Sequence, residues 1–315
     1  MAGGRITLAK WVVAAALLGA FAAYLWSNKS ELGRLRDISG ATASYVLAAR
    51  LIAYWAQVSA TAQLARFYAP GLKTLEYLAV ASGGSIANVV SVPGMAYGAK
   101  TLYLKSRHGI GHQTFLAITT ITALFSITLG GLMALLGLAW LGGRGASING
   151  LFWVFGSGLT LGPMLLPLFV ASRPMAGLSA RFAVFVESWA LLVRQRRLMV
   201  SVVALLALRS AASFLGFGVL FAALAGTINS FLVGGVLDSL SMLLRVVTIT
   251  PGNLGVYEWS VAGLGRGAGV SLAIGLACAA LYRAAGILCV GTAGIVSVVV
   301  LGTGRLRRES RDEDA

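Results

Sequence analysis

Apolar residues in this chain come in long runs, without the strict alternation of a half-buried strand. Several runs exceed eighteen residues, the length at which a helix crosses a bilayer. They predict six full spans: Leu8–Trp26, Ala43–Phe67, Thr114–Leu141, Ile148–Ala171, Leu198–Gly226 and Val270–Leu301. Two further apolar segments, Thr74–Tyr97 and Phe231–Arg266, contain helix breakers. Each predicts a hairpin that enters and leaves the membrane on one side. The expected fold is therefore all-α, a polytopic membrane protein with about six transmembrane helices and two re-entrant hairpins. A single transmembrane domain is expected over residues 1–304, with a charged tail over 305–315 that is expected to be disordered from Glu309.

Composition agrees with the pattern. The chain is 58% hydrophobic and 11% charged, and its mean hydropathy is +0.84, far above the soluble range. Formal net charge is +15, which in such a chain indicates basic loops facing the cytoplasm and anionic headgroups. The sequence has no basic-aromatic module for nucleic acid. The N-terminal run lacks a convincing A-x-A cleavage site and is expected to be a retained signal anchor. With the N-terminus inside, sixteen Lys and Arg fall in cytoplasmic pieces and five outside. This asymmetry predicts a multi-pass protein of the inner (cytoplasmic) membrane with both termini in the cytoplasm. Arg173–Arg197 is expected to be a cytoplasmic amphipathic stretch.

The two breaker segments resemble each other. "NVVSVPGMAYGAK" (88–100) and "RVVTITPGNLGVYE" (245–258) share Val-Val, a hydroxyl residue, Pro-Gly and a following Tyr. Three full spans separate them, and this odd number inverts the second copy relative to the first. The chain thus reads as an inverted repeat with halves near 43–141 and 198–301. In transporters, inverted repeats with broken helices build binding sites near the midplane. Irregular backbone at that depth must be buried in protein or line a wet cavity. Pro93, Gly94, Pro251, Gly252, Asn253 and Gly255 are the turn-forming candidates, and free N–H groups after such turns attract anions.

Charges in apolar segments carry the remaining signal: Arg209, Asp238, Arg245, Glu258 and Arg283. Each is costly at a helix centre and must pair or meet water. Glu258 with Arg283 is the first expected pair, and Arg209 with Asp238 the second. Arg50 stands two turns into its span and is expected to snorkel. Cys278 and Cys289, eleven residues apart in one helix, are too far apart for a disulfide. His108 and His112 have i, i+4 spacing but no evident third metal ligand. The sequence contains no cofactor motif and no catalytic motif, so no metal, no cofactor and no enzymatic activity are expected.

Residues 251–288 resemble the C-terminal signature of the lysylphosphatidylglycerol synthase transmembrane family, through Pro251, Gly255, Glu258, Gly269, Val270, Leu281, Tyr282 and Arg283. Residues 88–109 are similar to that family's N-terminal motif at Asn88, Pro93, Gly94, Gly98, Lys100, Tyr103, Leu104 and Lys105, although the family more often has Arg where Lys100 stands. The resemblance implies the flippase half only, since the chain stops at Ala315 and an aminoacyl-transferase domain is not expected. The expected substrate site is drawn from Glu258, Arg283, Pro251, Gly252, Asn253, Gly255, Tyr282, Asn88, Pro93, Gly94, Lys100 and Arg209, on the broken segments and the charges in apolar regions.

The function expected is movement of a polar lipid headgroup (phospholipid, polyprenyl or other envelope lipid) between leaflets, with membrane lipids as partners. The alternative is a non-catalytic scaffold for an envelope glycolipid or lipid-modifying pathway, partnered by envelope-biosynthesis enzymes. An integral-membrane enzyme acting on a lipid phosphate is the third reading. The sequence does not disclose an oligomeric state.

Overall fold

The structure, a computed structural model, describes residues 38–90, 95–143, 150–171, 180–226, 228–242, 250 and 253–313, with scattered residues from 15 to 36. All described elements are α-helices: α1 (Gly40–Tyr68), α2 (Thr74–Val90), α3 (Met95–His108), α4 (His112–Gly143), α5 (Gly150–Ala171), α6 (Ala180–Arg194), α7 (Arg196–Ala225), α8 (Ile228–Leu240), α9 (Val256–Gly267) and α10 (Leu272–Glu313). Among them, three are long and apolar enough to cross a membrane: His112–Gly143, Arg196–Ala225 and the Leu272–Val300 part of α10. They coincide with three of the six expected spans. The expected spans Ala43–Phe67 and Ile148–Ala171 correspond to α1 and α5, whereas Leu8–Trp26 lies mostly outside the described residues.

The centre of the bundle is the α1–α7 pair. Two core clusters fix its direction. Val46, early in α1, shares a cluster with Phe217, Leu220 and Phe221, late in α7. Val58, Leu64 and Ala65, late in α1, share the other with Met199, Val202 and Leu206, early in α7. The two helices therefore run antiparallel. Small residues allow their close approach: a Cβ on Gly216 would stand 2.8 Å from the Cβ of Ala49.

Packing around this pair repeats when α1–α4 is exchanged for α7–α10. Helix α2 packs on α10, as α8 packs on α4, and α1 meets α10 as α7 meets α4. Glycine contacts mark both equivalent seams. A Cβ on Gly294 of α10 would stand 2.9 Å from Ser82 Cβ of α2, and one on Gly130 of α4 would stand 3.3 Å from the Ser239 carbonyl of α8.

Four of the helices are short. At 1.5 Å per residue, α2 (17 residues), α3 (14), α8 (13) and α9 (12) each reach no more than ~26 Å, less than a bilayer core. The first hairpin extends past the expected Tyr97 to His108. Lys105, Arg107 and His108 in the last turn of α3 suit the helix dipole, and Gly109 ends the helix at φ +70°. At its open end, Glu76 in the first turn of α2 accepts from Tyr103 (2.6 Å), His108 Nε2 (2.9 Å) and Arg107 Nε (3.2 Å). Thus His108 serves the hairpin, while the ring of His112 packs edge-on against Tyr97. Burial pushes the Glu76 carboxyl up, but the bonds from Tyr103 and His108 outweigh it and hold the group below the usual range.

Two further expectations are adjusted. The Arg173–Arg197 stretch contains a helix, α6, whose Tyr68 contact (Tyr68 hydroxyl to Ser188 carbonyl, 2.8 Å) ties it to the end of α1. Instead of ending at Leu301, α10 continues as helix through the tail to Glu313. That segment has no proline, and Arg305–Glu309 and Arg308–Asp312 have i, i+4 spacing.

Candidate functional site

The expected site residues fall into two neighbouring constellations, both built on α10. The first is the turn before α9. Asn253 adopts φ +55° and Gly255 φ +80°, so the chain reverses tightly before the helix starts. The Asn253 N–H donates to the Thr250 carbonyl at 2.9 Å. Glu258, the third residue of α9, reaches back to accept the Gly255 N–H at 2.9 Å, which satisfies one orphan donor of the helix start.

Arg283 closes this turn from α10. Its Nε stands 2.6 Å from Glu258 Oε1. Its Nη2 donates to Glu258 Oε2 at 3.3 Å and to the Asn253 carbonyl at 3.0 Å. Its guanidinium also lies 5.4 Å from the Tyr257 ring centroid. The expected Glu258–Arg283 pair is therefore present and bidentate, with Glu258 buried and Arg283 half-buried, and it pins the irregular backbone to a long helix. Without pairing, each charge would cost about 2.5–3.5 kcal/mol at a helix centre. The N-terminal segment leans on the same turn, since Trp259 Nε1 donates to the Leu17 carbonyl at 3.3 Å and a Cβ on Gly255 would stand 2.5 Å from Leu17 Cβ.

The second constellation is a cavity of about 210 Å³ between α1, α7 and α10, lined by Arg50, Ala53, Tyr54, Gln57, Arg209, Ser213, Gly286 and Val290. Helical spacing produces it. Arg50, Tyr54 and Gln57 share one face of α1, and Arg209 and Ser213 share one face of α7. Arg209 donates to Met242 Sδ at 3.5 and 3.4 Å. Tyr54 shares a 2.8 Å hydrogen bond with Ser82 of α2, and Gln57 Oε1 accepts from Ser126 of α4 at 3.4 Å. No Asp or Glu among the described residues lines this cavity.

Arg50 departs from its expected snorkelling role. Its guanidinium sits 4.4 Å from the centroid of the Tyr282 ring, and its buried Nε has no hydrogen-bond partner among the described residues. The backbone of Gly286 comes so close that a Cβ there would collide with Arg50 Nη2. Tyr282 is itself fixed, donating to the Ser213 carbonyl at 2.9 Å and sharing a 3.0 Å bond with the Ser213 hydroxyl. Arg50 thus stays inside the bundle because an aromatic face and a missing side chain make room for it. The signal available in the sequence was polar Arg50, Tyr54 and Gln57 recurring on one face of an apolar helix.

The other expected site residues are more dispersed. Lys100 is half-buried on α3, with no ion-pair partner among the described residues. Pro93, Gly94, Pro251 and Gly252 lie outside the described residues, as does Arg245, and only the backbone of Asn88 is described, within α2. Asp238 is buried on α8. Cys278 and Cys289 are free buried thiols. No protein-family model matches this chain, and no curated protein or solved structure shows significant similarity to it.

Proposed function

We propose that this protein is an inner-membrane lipid transporter of the flippase type, which moves a polar headgroup between leaflets while the acyl chains stay in lipid. The observation that carries this reading is the polar cavity lined by Arg50, Tyr54, Gln57, Arg209 and Ser213, enclosed by helices that are otherwise apolar. A polar, charged hollow at such a place is costly unless a polar solute enters it.

Three features support the reading. The central helices α1 and α7 run antiparallel, as the first helices of inverted halves would. The hairpin arms are shorter than a bilayer core, as re-entrant segments are. The motifs around Pro93 and Pro251 resemble those of the lysylphosphatidylglycerol synthase transmembrane family. In this reading both termini face the cytoplasm, the hairpins dip in from opposite faces, and the Glu258–Arg283 pair holds the second one in shape. The headgroup occupies the α1–α7–α10 cavity and reaches either leaflet as the halves rock around the antiparallel pair.

The test is reconstitution of the full chain into liposomes carrying fluorescent phosphatidylglycerol, phosphatidylethanolamine, lysylphosphatidylglycerol or a polyprenyl phosphate. Accelerated loss of the protected inner-leaflet signal is expected for at least one of them. Rates equal to protein-free vesicles for all of them would refute the proposal.

A further inference from the structure

We propose that the Arg50–Arg209 cavity is a phosphate seat, in which two guanidinium groups from opposite halves of the chain hold one phosphate monoester or diester. The seat rests on the transport reading only for the source of its ligand: the shared chemistry is the phosphate, whether it belongs to a lipid headgroup or is free in solution.

The two half-buried arginines on the Tyr282 side and the Glu258 side are treated differently. Arg283 is supplied with both carboxylate oxygens of Glu258 and a backbone carbonyl. Arg50 has an aromatic face, the bare backbone of Gly286 and an Nε without a hydrogen-bond partner among the described residues. A pinned guanidinium with an unsatisfied donor is pre-organised for an incoming acceptor. Arg209 lines the same hollow from α7, and Tyr54, Gln57 and Ser213 add neutral polar groups. The lining therefore favours an anion. A planar carboxylate can fork with one guanidinium, whereas a tetrahedral phosphate presents oxygens to two that line one hollow from different helices. A cavity of about 210 Å³ accommodates a phosphodiester.

The experiment uses the full chain in maltoside micelles, which contain no phosphate. Inorganic phosphate, dihexanoyl phosphatidylglycerol, acetate and dihexanoylglycerol are titrated by calorimetry. Both phosphate probes are expected to bind, and acetate and dihexanoylglycerol are not. Arg50→Gln and Arg209→Gln should each weaken phosphate binding by about tenfold or more, whereas Arg194→Gln, an exposed position on α6, should leave it unchanged. Arg50→Lys, which keeps the charge but loses the fork, should fall between. If the Gln variants fail to fold, the wild-type ranking of phosphate over acetate still decides. Acetate binding as well as phosphate, or Arg50→Gln binding as wild type does, overturns the seat. Much tighter binding of the phosphatidylglycerol probe assigns the ligand to lipid, and equal binding assigns it to free phosphate. Phosphate binding without lipid scrambling would sink transport and keep the seat. Scrambling unaffected by Arg50→Gln would sink the seat and keep transport.

Discussion

The guanidinium carbon of Arg50 lies 4.4 Å from the centroid of the Tyr282 ring, and the ring hydroxyl is bonded to Ser213 across the α7–α10 contact. Tyr282→Phe keeps the ring and loses the hydroxyl bonds, a cost of about 1 kcal/mol. Tyr282→Leu also removes the aromatic face, adding about 1–2 kcal/mol at this desolvated site. Thermal unfolding of the detergent-solubilised protein should rank wild type above Phe and Phe above Leu. Only the Leu variant should also lose lipid transport by more than its loss of folded protein explains.

Removing one partner of the Glu258–Arg283 pair leaves the other buried without its countercharge. Glu258→Gln should destabilise by about 3–5 kcal/mol. Replacing both, as Glu258→Gln with Arg283→Gln, should recover much of that loss, since no unpaired charge remains. Chemical denaturation of Glu258→Gln, Arg283→Gln and the double variant checks this. A double variant as unstable as the sum of the singles would show that the ion pair is not the dominant interaction.

Gly216 sits where α1 and α7 cross, and its neighbour is the Cβ of Ala49 rather than a flexible side chain. Gly216→Ala cannot be relieved by a rotamer change, so the helices must separate. A cost of about 1–3 kcal/mol is expected, together with a faster rate of reaction of a cysteine placed at Ala53 with a water-soluble thiol reagent. The reagent test must be run against wild-type background with Cys278 and Cys289 replaced.

The first hairpin should respond to acid. The Glu76 carboxyl lies below its ordinary range in the folded protein, so its contribution is present above the unfolded value of about 4.3 and is lost as pH falls through the lower folded value. The gap in melting temperature between wild type and Glu76→Gln should be present at about pH 5 and close below about pH 4. A gap that is unchanged at pH 3 would remove the carboxylate from the argument.

How much of this was legible in the sequence follows from the physics of each feature. Thr114–Leu141, Leu198–Gly226 and Val270–Leu301 were readable because span length and hydropathy are local properties. The Glu258–Arg283 pair was readable because two costly charges of opposite sign need each other. The end of the first hairpin was not, because Arg107 and His108 look like a solvated loop until Glu76 collects them. Arg50 was the largest departure. Distance from a helix end suggests snorkelling, whereas its fate is set by Tyr282 and Gly286, more than two hundred residues later. Periodicity along α1 held part of that information, but which helix would cover the polar face depends on how α7 crosses α1.

Tyr282 and Arg283 are consecutive on one helix, so their side chains leave the axis about 100° apart and cannot be turned separately. Twisting α10 by a fraction of a turn would slide the aromatic floor from beneath one arginine while withdrawing the other from its carboxylate. The helix is in this respect a camshaft: the turn before α9 and the hollow between α1 and α7 are mechanically geared, and neither can change shape alone.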